Sequence, residues 1–557
     1  SYVGTVQAVD TASVVVSVEN ETVLSNIKVN NLVIINASKE RQTLIGMVNK
    51  IIRKFNDLIQ LEDDEEITTE DIVKINLIGT LLDKDGVDTN VFKRTLESVP
   101  EISSKCYCMD DKNLTSFMEV ISSTSQCSGT PLNIGKYALS KHADAYLDGN
   151  KFFQKHAVIV GSTGSGKSCT VATVIEQIAL LKSSNAILFD IHGEYSTLQG
   201  ENFQHLKVAG PNDTIQEGML FLPYWLLTYE EMLSLMLDRS DSNAPNQAMM
   251  FSSAVIDGKK EFLRDADKTE MEANITLDSP IPYRLNKLLE SLKAKDSEMV
   301  TGSRGEKQGP YFGKLTRFIQ RLETKQKDKR LNFMFCGDDS LLTYDYMAEL
   351  CSKLMLPSND GSNGVKIIDF SEVPSDILPL IVSLIARVIF SVQQWASTEN
   401  RHPIAIFCDE AHLYIPANTE KSIDDASLVT FERISKEGRK YGIGLVVISQ
   451  RPSEVNRTVL SQSNNFIAMR LTNVDDQSVV KKLLPDSLGD YAEMLPILDI
   501  GEALVVGDAS LLPSRIRVSP PNLKPRSATI DFWDEWSKTS NEIDIVAAIE
   551  SLRKQSK

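Results

Sequence analysis

The part of the sequence that most limits how the chain can fold is a short segment at positions 161–168, Gly-Ser-Thr-Gly-Ser-Gly-Lys-Ser. It matches the phosphate-binding pattern GxxxxGK[ST]. An apolar run at residues 156–160 precedes it, and a strand, a glycine-rich turn and a helix in this order predict a phosphate-binding loop in an α/β fold. A flexible Gly/Ser linker would not explain Lys167. It would also not explain the apolar residues that recur at helical spacing after the segment: Val171, Val174, Ile175, Ile178 and Leu181.

The residue types of this loop predict its ligands. Small glycines allow backbone N–H groups to face the β- and γ-phosphates, and Lys167 adds a positive charge. The hydroxyl of Ser168 is predicted to bind Mg²⁺. We therefore expect ATP and Mg²⁺ as cofactors. The residues predicted to bind the nucleotide are Gly161, Ser162, Thr163, Gly164, Ser165, Gly166, Lys167, Ser168 and Cys169.

A pair of carboxylates follows another apolar run far along the chain. Residues 403–408, Pro-Ile-Ala-Ile-Phe-Cys, have the character of a strand buried in a parallel sheet, and Asp409 and Glu410 come directly after it. Ligands of open α/β sheets bind beyond the carboxyl ends of the strands. We therefore predict that Asp409 binds the same Mg²⁺ as Ser168 and that Glu410 polarises the attacking water. An Asp-Glu pair more commonly marks an exposed helix start, but that origin would not explain the apolar strand.

A third group of polar residues surrounds Gln450, which follows the next apolar run. At the tip of the neighbouring strand, Gln450 is predicted to sense the γ-phosphate. The preceding segment, residues 431–442, is predicted to be a helix with basic residues on one side. An arginine from a neighbouring subunit can stabilise the transferring phosphoryl group, and Arg433 and Arg439 are better candidates for this role than Arg451. The alternative is that these arginines form surface ion pairs worth about 0–1 kcal/mol each.

Six segments stand together in a specific order. They are His-Ala-Val-Ile-Val-Gly-Ser-Thr-Gly-Ser-Gly-Lys-Ser at 156–168, Asp-Ile-His-Gly-Glu-Tyr at 190–195, Leu-Pro-Tyr-Trp-Leu at 222–226, Asp-Glu-Ala-His at 409–412, Glu-Gly-Arg-Lys-Tyr-Gly at 437–442 and Ser-Gln-Arg-Pro-Ser at 449–453. With these segments, the chain resembles the HerA family of the HerA/FtsK group of ring ATPases. The resemblance covers roughly residues 130–520.

The resemblance implies a homo-hexameric motor that threads double-stranded DNA through a central channel. It also implies a small N-terminal β-barrel, a RecA-like core, a helical insertion and a C-terminal segment that braces the neighbouring subunit. HerA-like proteins act with an effector, which is a NurA-type nuclease in DNA end processing or a sirtuin-like or other effector in defence against phage. The sequence leaves both effector classes open.

Two other functional classes also stay open. The first is a conjugation or secretion ATPase of the same superfamily, but such proteins usually carry membrane segments. The longest apolar window, residues 377–390, is interrupted by Pro379, Ser383 and Arg387 and is too short to span a bilayer, so we expect no membrane partner. The second is a ring scaffold that assembles and activates an effector under ATP control without processive translocation.

The expected fold class is α/β, with a RecA-like P-loop ATPase core, a mainly parallel sheet, a small N-terminal β-barrel and a helical insertion. Residues 122–130 and 301–309 are predicted to be loops, the second of them mobile, and residues 533–554 have an amphipathic pattern. The predicted boundaries are 1–95 for the barrel, 96–155 for a connector, 156–227 and 364–519 for the core, 228–363 for the insertion and 520–557 for the brace segment.

The net charge of −17 argues at first against a nucleic-acid partner, because phosphate contacts require clustered Lys and Arg. Much of the negative charge is local, as at residues 62–66, and a ring can be acidic outside and basic inside. A basic stripe on a predicted helix could contact DNA, although a solvated face is the more common outcome. The stripe consists of Lys314, Arg317, Arg321 and Lys325.

The seven cysteines are an odd number without a disulfide-framework spacing, which predicts a reducing compartment, the cytoplasm. Cys106, Cys108 and Cys127 suggest a zinc site, but they lack a fourth ligand, so we do not expect one.

One more polar cluster follows a predicted strand. Asp190, His192 and Glu194 could contact Mg²⁺ or its waters, or they could form a structural turn. The sequence leaves both readings open.

Overall fold

The structure, a computed structural model, describes residues 1–37, 42–55, 69–82, 91–96, 98–125, 131–140, 142–303, 305–358, 360–419, 422–484, 486–526, 531–538 and 545–555. The acidic segment 62–66 and Cys127 lie outside these residues. The chain forms two compact units. The first unit comprises Ser1–Gln177, Gln450–Ser453 and Ser463–Asn522, and the second comprises Ile178–Ser449, Glu454–Gln462 and Leu523–Lys557.

The N-terminal part of the first unit is a closed antiparallel barrel. Strands β1 to β5 and β7 form the closed sheet in the order β2-β1-β7-β3-β4-β5, with β5 pairing again with β2, while β6 extends the sheet at β5. Alternate valines and isoleucines of the strands fill the interior, for example Val14, Val16 and Val33, which are fully buried. The strands are β1 Tyr2–Val9, β2 Ser13–Ser17, β3 Leu32–Asn36, β4 Gln42–Phe55, β5 Thr69–Leu82, β6 Val91–Lys93 and β7 Lys105–Cys108, and the helix α1 is Glu21–Leu24.

The barrel extends past the boundary predicted at residue 95. Lys105–Cys108 lies between β1 and β3 and pairs with both, although the sequence analysis assigned it to the connector. The strand has four residues and no long apolar run, so only its pairing partners identify it. Residues 122–125 are also not a loop, because they form the end of helix Asp111–Ser125, while residues 126–130 of the predicted loop lie outside the described residues.

The remaining elements alternate between strands and helices. The strands are β8 Leu132–Tyr137, β9 Asp144–Leu147, β10 Ala157–Val160, β11 Ala186–Asp190, β12 Phe203–Val208, β13 Met219–Leu220, β14 Met299–Gly302, β15 Gly305–Gln308, β16 Val365–Asp369, β17 Ile404–Cys408, β18 Ile443–Ser449, β19 Asn465–Met469, β20 Glu502–Gly507 and β21 Ser514–Val518. The helices are α2 Asp111–Ser125, α3 Gly149–Gln154, α4 Lys167–Ala179, α5 Tyr229–Met236, α6 Ala244–Asp265, α7 Leu285–Asp296, α8 Thr316–Lys327, α9 Asn332–Phe335, α10 Tyr346–Met355, α11 Leu378–Trp395, α12 Ser422–Glu437, α13 Arg457–Ser461, α14 Val474–Leu483, α15 Phe532–Ser537 and α16 Ile545–Lys554.

The first unit also contains six strands of the ATPase core, in the order β10-β19-β20-β21-β8-β9. β10 and β19 are parallel, and the pairs from β19 onward are antiparallel. The apolar run at residues 503–506 in β20 therefore runs antiparallel to β19, within a core whose sheet was predicted to be mainly parallel. The apolar run alone carries no information on strand direction.

The second unit contains a six-stranded sheet in which every pairing is parallel. Its order is β13-β12-β16-β11-β17-β18. All residues of β11, β17 and β18 are buried, as their continuous apolar runs predicted. The three acidic ends Asp190, Asp369 and Asp409 lie at the carboxyl ends of neighbouring strands, because β11 pairs in register with both β16 and β17.

Residues 228–363 of the second unit contain the helices α5 to α10, as expected for the insertion. The glycine-rich segment 301–309 was predicted to be a mobile loop, but the structure pairs β14 with β15 as an antiparallel hairpin there. Two basic residues of the stripe, Arg317 and Arg321, are paired with acidic partners. Arg321 lies 2.7 Å from Asp238, and Arg317 lies 3.9 Å from Asp241. The stripe is therefore partly neutralised within the insertion, which favours the solvated face over a DNA contact.

Helix α11 is the one described helix that is long and apolar enough to cross a membrane by length and composition. It is longer than the apolar window that the sequence suggested, because it continues to Trp395. Most of its apolar side chains are buried inside the second unit, which accounts for their hydrophobicity without a bilayer.

Candidate functional site

The phosphate-binding loop lies between β10 and α4, as predicted. Gly164 and Gly166 have φ angles of +77° and +99°, which favour glycine over other residues. A Cβ atom at Gly166 would lie 3.2 Å from the Met469 Cε atom and 3.3 Å from the Gly501 nitrogen. The backbone of the loop is also held from outside, because the Gly501 N–H donates to the carbonyl of Ser165 at 3.0 Å. This loop is thus a fixed turn at the start of a helix, the setting in which backbone N–H groups bind phosphate.

Gln450 contacts the phosphate-binding loop directly within the first unit. The Thr163 hydroxyl donates to the Gln450 Oε1 atom at 2.6 Å. Lys167, the first residue of α4, is buried, with 5% of its surface exposed. The structure therefore brings together the phosphate-binding loop, Lys167 and Gln450, the predicted sensor of the γ-phosphate. Ser168 and Cys169 follow on the first turn of α4.

Asp409 and Glu410 follow β17 in the second unit, as predicted. Both are buried, with exposed fractions of 1% and 3%. Glu410 has a φ angle of +46°, which is uncommon for a residue other than glycine, and strained backbone of this kind clusters at active sites. The Tyr414 hydroxyl donates to the backbone carbonyl of Asp409 at 2.7 Å and fixes the turn that carries both carboxylates.

The side chain of Glu410 has a partner that the sequence analysis did not identify. Its Oε2 atom lies 3.4 Å from the Nδ1 atom of His412. The same nitrogen lies 3.3 Å from the hydroxyl oxygen of Ser449, the last residue of β18. The motif Asp-Glu-Ala-His placed His412 near Glu410 in sequence, but the contact with Ser449 depends on the pairing of β17 with β18.

Asp190 forms a structural turn rather than an open metal ligand. Its two carboxylate oxygens accept the backbone N–H groups of Glu194 and Tyr195 at 2.9 and 3.0 Å. Burial raises the pKa of Asp190 to about 7, these hydrogen bonds oppose the rise, and the charges of Asp409 and Asp369 add to it. Of the two readings that the sequence left open for this cluster, the geometry favours the turn.

The structure distinguishes the two arginine candidates of the second unit. The Arg433 guanidinium lies 4.7 Å from the centre of the Phe390 ring, and it donates to Gln394 at 3.3 Å. Arg439 lies on a short 3-10 helix, Gly438–Tyr441, and its side chain is exposed. The Arg439 carbonyl accepts the Gly442 N–H at 3.4 Å, but within the part of the chain that the structure describes its side chain makes no hydrogen bond, ion pair or ring contact. Arg451 is exposed and lies in the first unit.

The metal candidates can be sorted by their donor atoms. Mg²⁺ prefers oxygen ligands and usually takes only one or two from the protein, with phosphates and waters supplying the rest. The hydroxyl of Ser168 and the carboxylate of Asp409 fit this chemistry. Across the described ranges, no group of three or more His, Cys, Asp or Glu side chains is placed to hold a metal ion, so Cys106 and Cys108 gain no further zinc ligands there.

Comparison with known proteins shows what the chain is similar to. Residues 132–389 match the family model described as the helicase HerA, central domain. These residues are similar to the central domain of HerA helicases. The HerA-type chain is also 26% identical over 410 residues to the DNA double-strand break repair helicase HerA of Saccharolobus solfataricus, a match that covers 72% of this chain and 71% of the relative. A probable helicase of Methanocaldococcus jannaschii is 25% identical over 514 residues, with 89% of this chain and 87% of the relative covered.

Among solved structures, the bacterial conjugative coupling protein TrwB aligns with the HerA-type chain at a TM-score of 0.46 and 11% identity, over 75% of this chain and 94% of that one. The resemblance to HerA that the motifs indicated is thus confirmed by the family model and the relatives. The α/β fold class is confirmed as well, and the chain is a P-loop ATPase of the HerA helicase type. Apart from the end of the barrel, the domain boundaries stay predictions, as do the roles of individual site residues.

Proposed function

We propose that this HerA-type ATPase is an ATP-driven DNA translocase or helicase that works as a homo-hexamer and powers or gates an effector enzyme. The observation that carries the proposal is the match of residues 132–389 to the HerA central domain, because this region contains the phosphate-binding loop. Gln450, which lies outside the matched region, contacts the loop at Thr163. The relatives named DNA double-strand break repair helicases support DNA as the substrate of the motor.

In the proposed cycle, the loop N–H groups and Lys167 bind the phosphates of ATP. Ser168 and Asp409 hold the Mg²⁺ ion, which neutralises charge on the phosphate oxygens when it is bound. Glu410 orients the attacking water. Gln450, which directly follows β18, contacts the γ-phosphate and senses whether it is present. An arginine of the adjacent subunit completes the charge stabilisation. Its exposure and the freedom of its side chain from described contacts make Arg439 the stronger candidate.

Substitution of the water-orienting carboxylate tests the chemical core of this proposal. Glu410→Gln keeps the size of the side chain and removes its negative charge, so we expect ATP to bind with little change and turnover to fall by at least roughly a hundredfold. Filter binding with labelled ATP and steady-state phosphate release measure the two quantities. Glu399→Gln, an exposed carboxylate on the amino-terminal side of β17, is the matched control and should behave as the unchanged protein. Normal turnover in Glu410→Gln would refute the assignment.

The motor and the scaffold differ in their response to DNA. A motor should hydrolyse ATP faster when duplex DNA is added and should displace a bound third strand along the duplex. A scaffold should assemble with ATP but show neither effect. Stimulated turnover without strand displacement, in the presence of a purified effector whose own activity depends on ATP, would favour the scaffold.

The effector is proposed to be a NurA-type nuclease or a sirtuin-like or other defence enzyme. Affinity capture of the tagged chain from its own cells, followed by mass spectrometry, tests this proposal, and capture of neither class would contradict it. The cytoplasm is the proposed location, because the six described cysteines are all free thiols, as in a reducing compartment. Cell fractionation checks the location.

A further inference from the structure

One ring nitrogen in the second unit serves two competing partners. The Nδ1 atom of His412 lies 3.4 Å from the Glu410 Oε2 atom and 3.3 Å from the Ser449 Oγ atom. The environment is dry, because the side chains of His412 and Glu410 are only 16% and 4% exposed and Ser449 is fully buried. Low exposure strengthens hydrogen bonds to the carboxylate and makes the choice of partner matter.

The chemistry of a histidine nitrogen makes the two contacts alternatives. When Nδ1 carries a hydrogen, it can donate to the carboxylate of Glu410. When the hydrogen is on Nε2 instead, Nδ1 is an acceptor that can receive the hydroxyl hydrogen of Ser449, and its lone pair then repels the carboxylate. The ring can exchange protons with solvent, because part of the His412 side chain is exposed. The same three residues therefore have two mutually exclusive hydrogen-bond arrangements.

The backbone at Glu410 is consistent with a carboxylate held in place from outside. Its φ angle of +46° is unfavourable for a residue with a side chain and persists only where surrounding contacts fix it. The hydrogen bond from the Tyr414 hydroxyl to the Asp409 carbonyl fixes one side of the turn. The contact with His412 fixes the side chain on the other side.

We propose that His412 is a positioning residue whose Nδ1 atom holds the Glu410 carboxylate by a hydrogen bond. When Nδ1 instead accepts the hydroxyl hydrogen of Ser449, Glu410 is released, so that the end of β18 controls the hydrolysis of ATP. The inference rests on the proposed role of Glu410. Ser449 is followed directly in the chain by Gln450, whose side chain accepts a hydrogen bond from Thr163 of the phosphate-binding loop. A movement of Gln450 on binding the γ-phosphate would therefore move Ser449 and change which partner Nδ1 engages.

Two substitutions should change ATP turnover in opposite directions. His412→Ala removes the restraint, so the turnover without DNA should rise roughly ten- to a hundredfold, the scale expected for losing one hydrogen bond to a charged group. Ser449→Ala removes the competing donor and leaves Glu410 restrained, so the turnover should fall by a similar factor. In both variants KM for ATP should stay near its original value, because neither residue is proposed to touch the nucleotide.

The double variant and a conservative variant separate control from damage. His412→Ala with Ser449→Ala should match His412→Ala alone, because the serine acts through the ring. His412→Asn places an amide near the position of Nδ1 and should restore most of the low turnover. His402→Ala is the matched control, since His402 precedes the amino end of β17 and contacts the Ser183 carbonyl. It should leave turnover unchanged.

A fall in turnover for both His412→Ala and Ser449→Ala would overturn the inference and assign the two residues a purely structural role. The inference would also be overturned if the single and double variants all turned over ATP like the unchanged protein. These outcomes are distinct from failure of the proposed function. If Glu410→Gln still hydrolyses ATP, the assignment of Glu410 itself is lost. If Glu410→Gln is inactive and the opposite changes do not appear, only the role of His412 is lost.

Discussion

At the scale of single residues, Lys366 shows how far a charge can be buried in this fold. It lies in β16 with no exposed surface, and its ammonium donates to the Asn185 Oδ1 atom at 3.1 Å. Burial lowers the pKa of Lys366 from 10.5 to about 8. The folded protein therefore releases the Lys366 proton near pH 8, whereas the unfolded chain holds it up to about pH 10.5. Above pH 10.5 the buried lysine does not lower the free energy of unfolding. As the pH falls towards 8, the free energy of unfolding decreases, because the unfolded chain binds the proton more tightly than the folded protein.

Replacement by a neutral side chain of similar length should remove this penalty. We expect Lys366→Met to raise the free energy of unfolding at pH 7.5 by on the order of 3 kcal/mol, from about 1.4 kcal/mol per pKa unit. The advantage should shrink at pH 9.5, where more of the folded protein already holds a neutral lysine. Calorimetric melting temperatures at the two pH values measure the effect, with exposed Lys182→Met as the control. A variant that melts below the unchanged protein at pH 7.5 would contradict the expectation.

At the scale of residues, the sequence predicted local structure where neighbouring positions form a recognisable pattern, while the roles of the side chains stay predictions. The loop at residues 161–168 needs glycines and a lysine at fixed spacing, and the turn after β17 needs an apolar strand before Asp409, so both can be read from neighbouring positions. The contact of Arg433 with Phe390 could not be predicted, because it joins residues of different helices. The link between His412 and Ser449 depends in the same way on which strands become neighbours.

At the scale of elements, a buried ion pair joins helix α11 of the parallel-sheet core to helix α5 of the insertion. The Arg387 guanidinium makes two contacts of 2.6 and 2.9 Å with Glu231 and also donates to the Leu226 carbonyl at 2.7 Å. Glu231 accepts the backbone N–H of Thr228 in a capping box at the start of α5. In the sequence, Arg387 interrupts an apolar run. In the structure, Arg387 is the residue that ties α11 to the insertion.

Loss of the arginine should leave a buried carboxylate without its charge partner. We expect Arg387→Met to lower the free energy of unfolding by about 3–5 kcal/mol, and the double change with Glu231→Gln to recover part of the loss. The adjacent exposed pair of Arg239 and Glu230 gives a matched control, because Arg239→Met should cost at most about 1 kcal/mol. Urea unfolding monitored by tryptophan fluorescence compares the variants. Equal losses for the two methionine variants would show that burial does not decide the effect.

Elements were predicted well where they are long and apolar, and poorly where tertiary partners define them. β11, β17 and β18 were evident from their apolar runs. The β14–β15 hairpin was not, because its residues are polar and exposed and its glycines are equally typical of a loop. Strand direction in β20 also had no local signal.

At the scale of the whole molecule, the proposed ring requires that one subunit completes the site of the next. Lys167→Ala and Arg439→Ala should each be inactive alone, the first for loss of phosphate binding and the second for loss of the arginine. In mixed rings, an intact loop of the Arg439→Ala chain can meet an intact Arg439 of the Lys167→Ala chain. We therefore expect the mixture to regain ATP turnover, with a maximum near equal amounts.

Arg433→Ala is the comparison variant in the same assay. Because its guanidinium is already engaged with Phe390 and Gln394, we expect Arg433→Ala to lose less turnover than Arg439→Ala. Phosphate release across a series of mixing ratios measures both effects. If no ratio of the Lys167→Ala and Arg439→Ala chains restores turnover, Arg439 does not act across subunits.

The position of β7 has a consequence for synthesis of the protein on the ribosome. Lys105–Cys108 fits between β1 and β3, so each of these two strands keeps an uncovered edge until β7 has left the exit tunnel. Nascent chains stalled with residue 100 outside the tunnel should be cut readily by protease, whereas chains stalled with residue 115 outside should resist. Until that point the edges of β1 and β3 can pair with strands of other chains, which makes this stage of translation the one most exposed to aggregation.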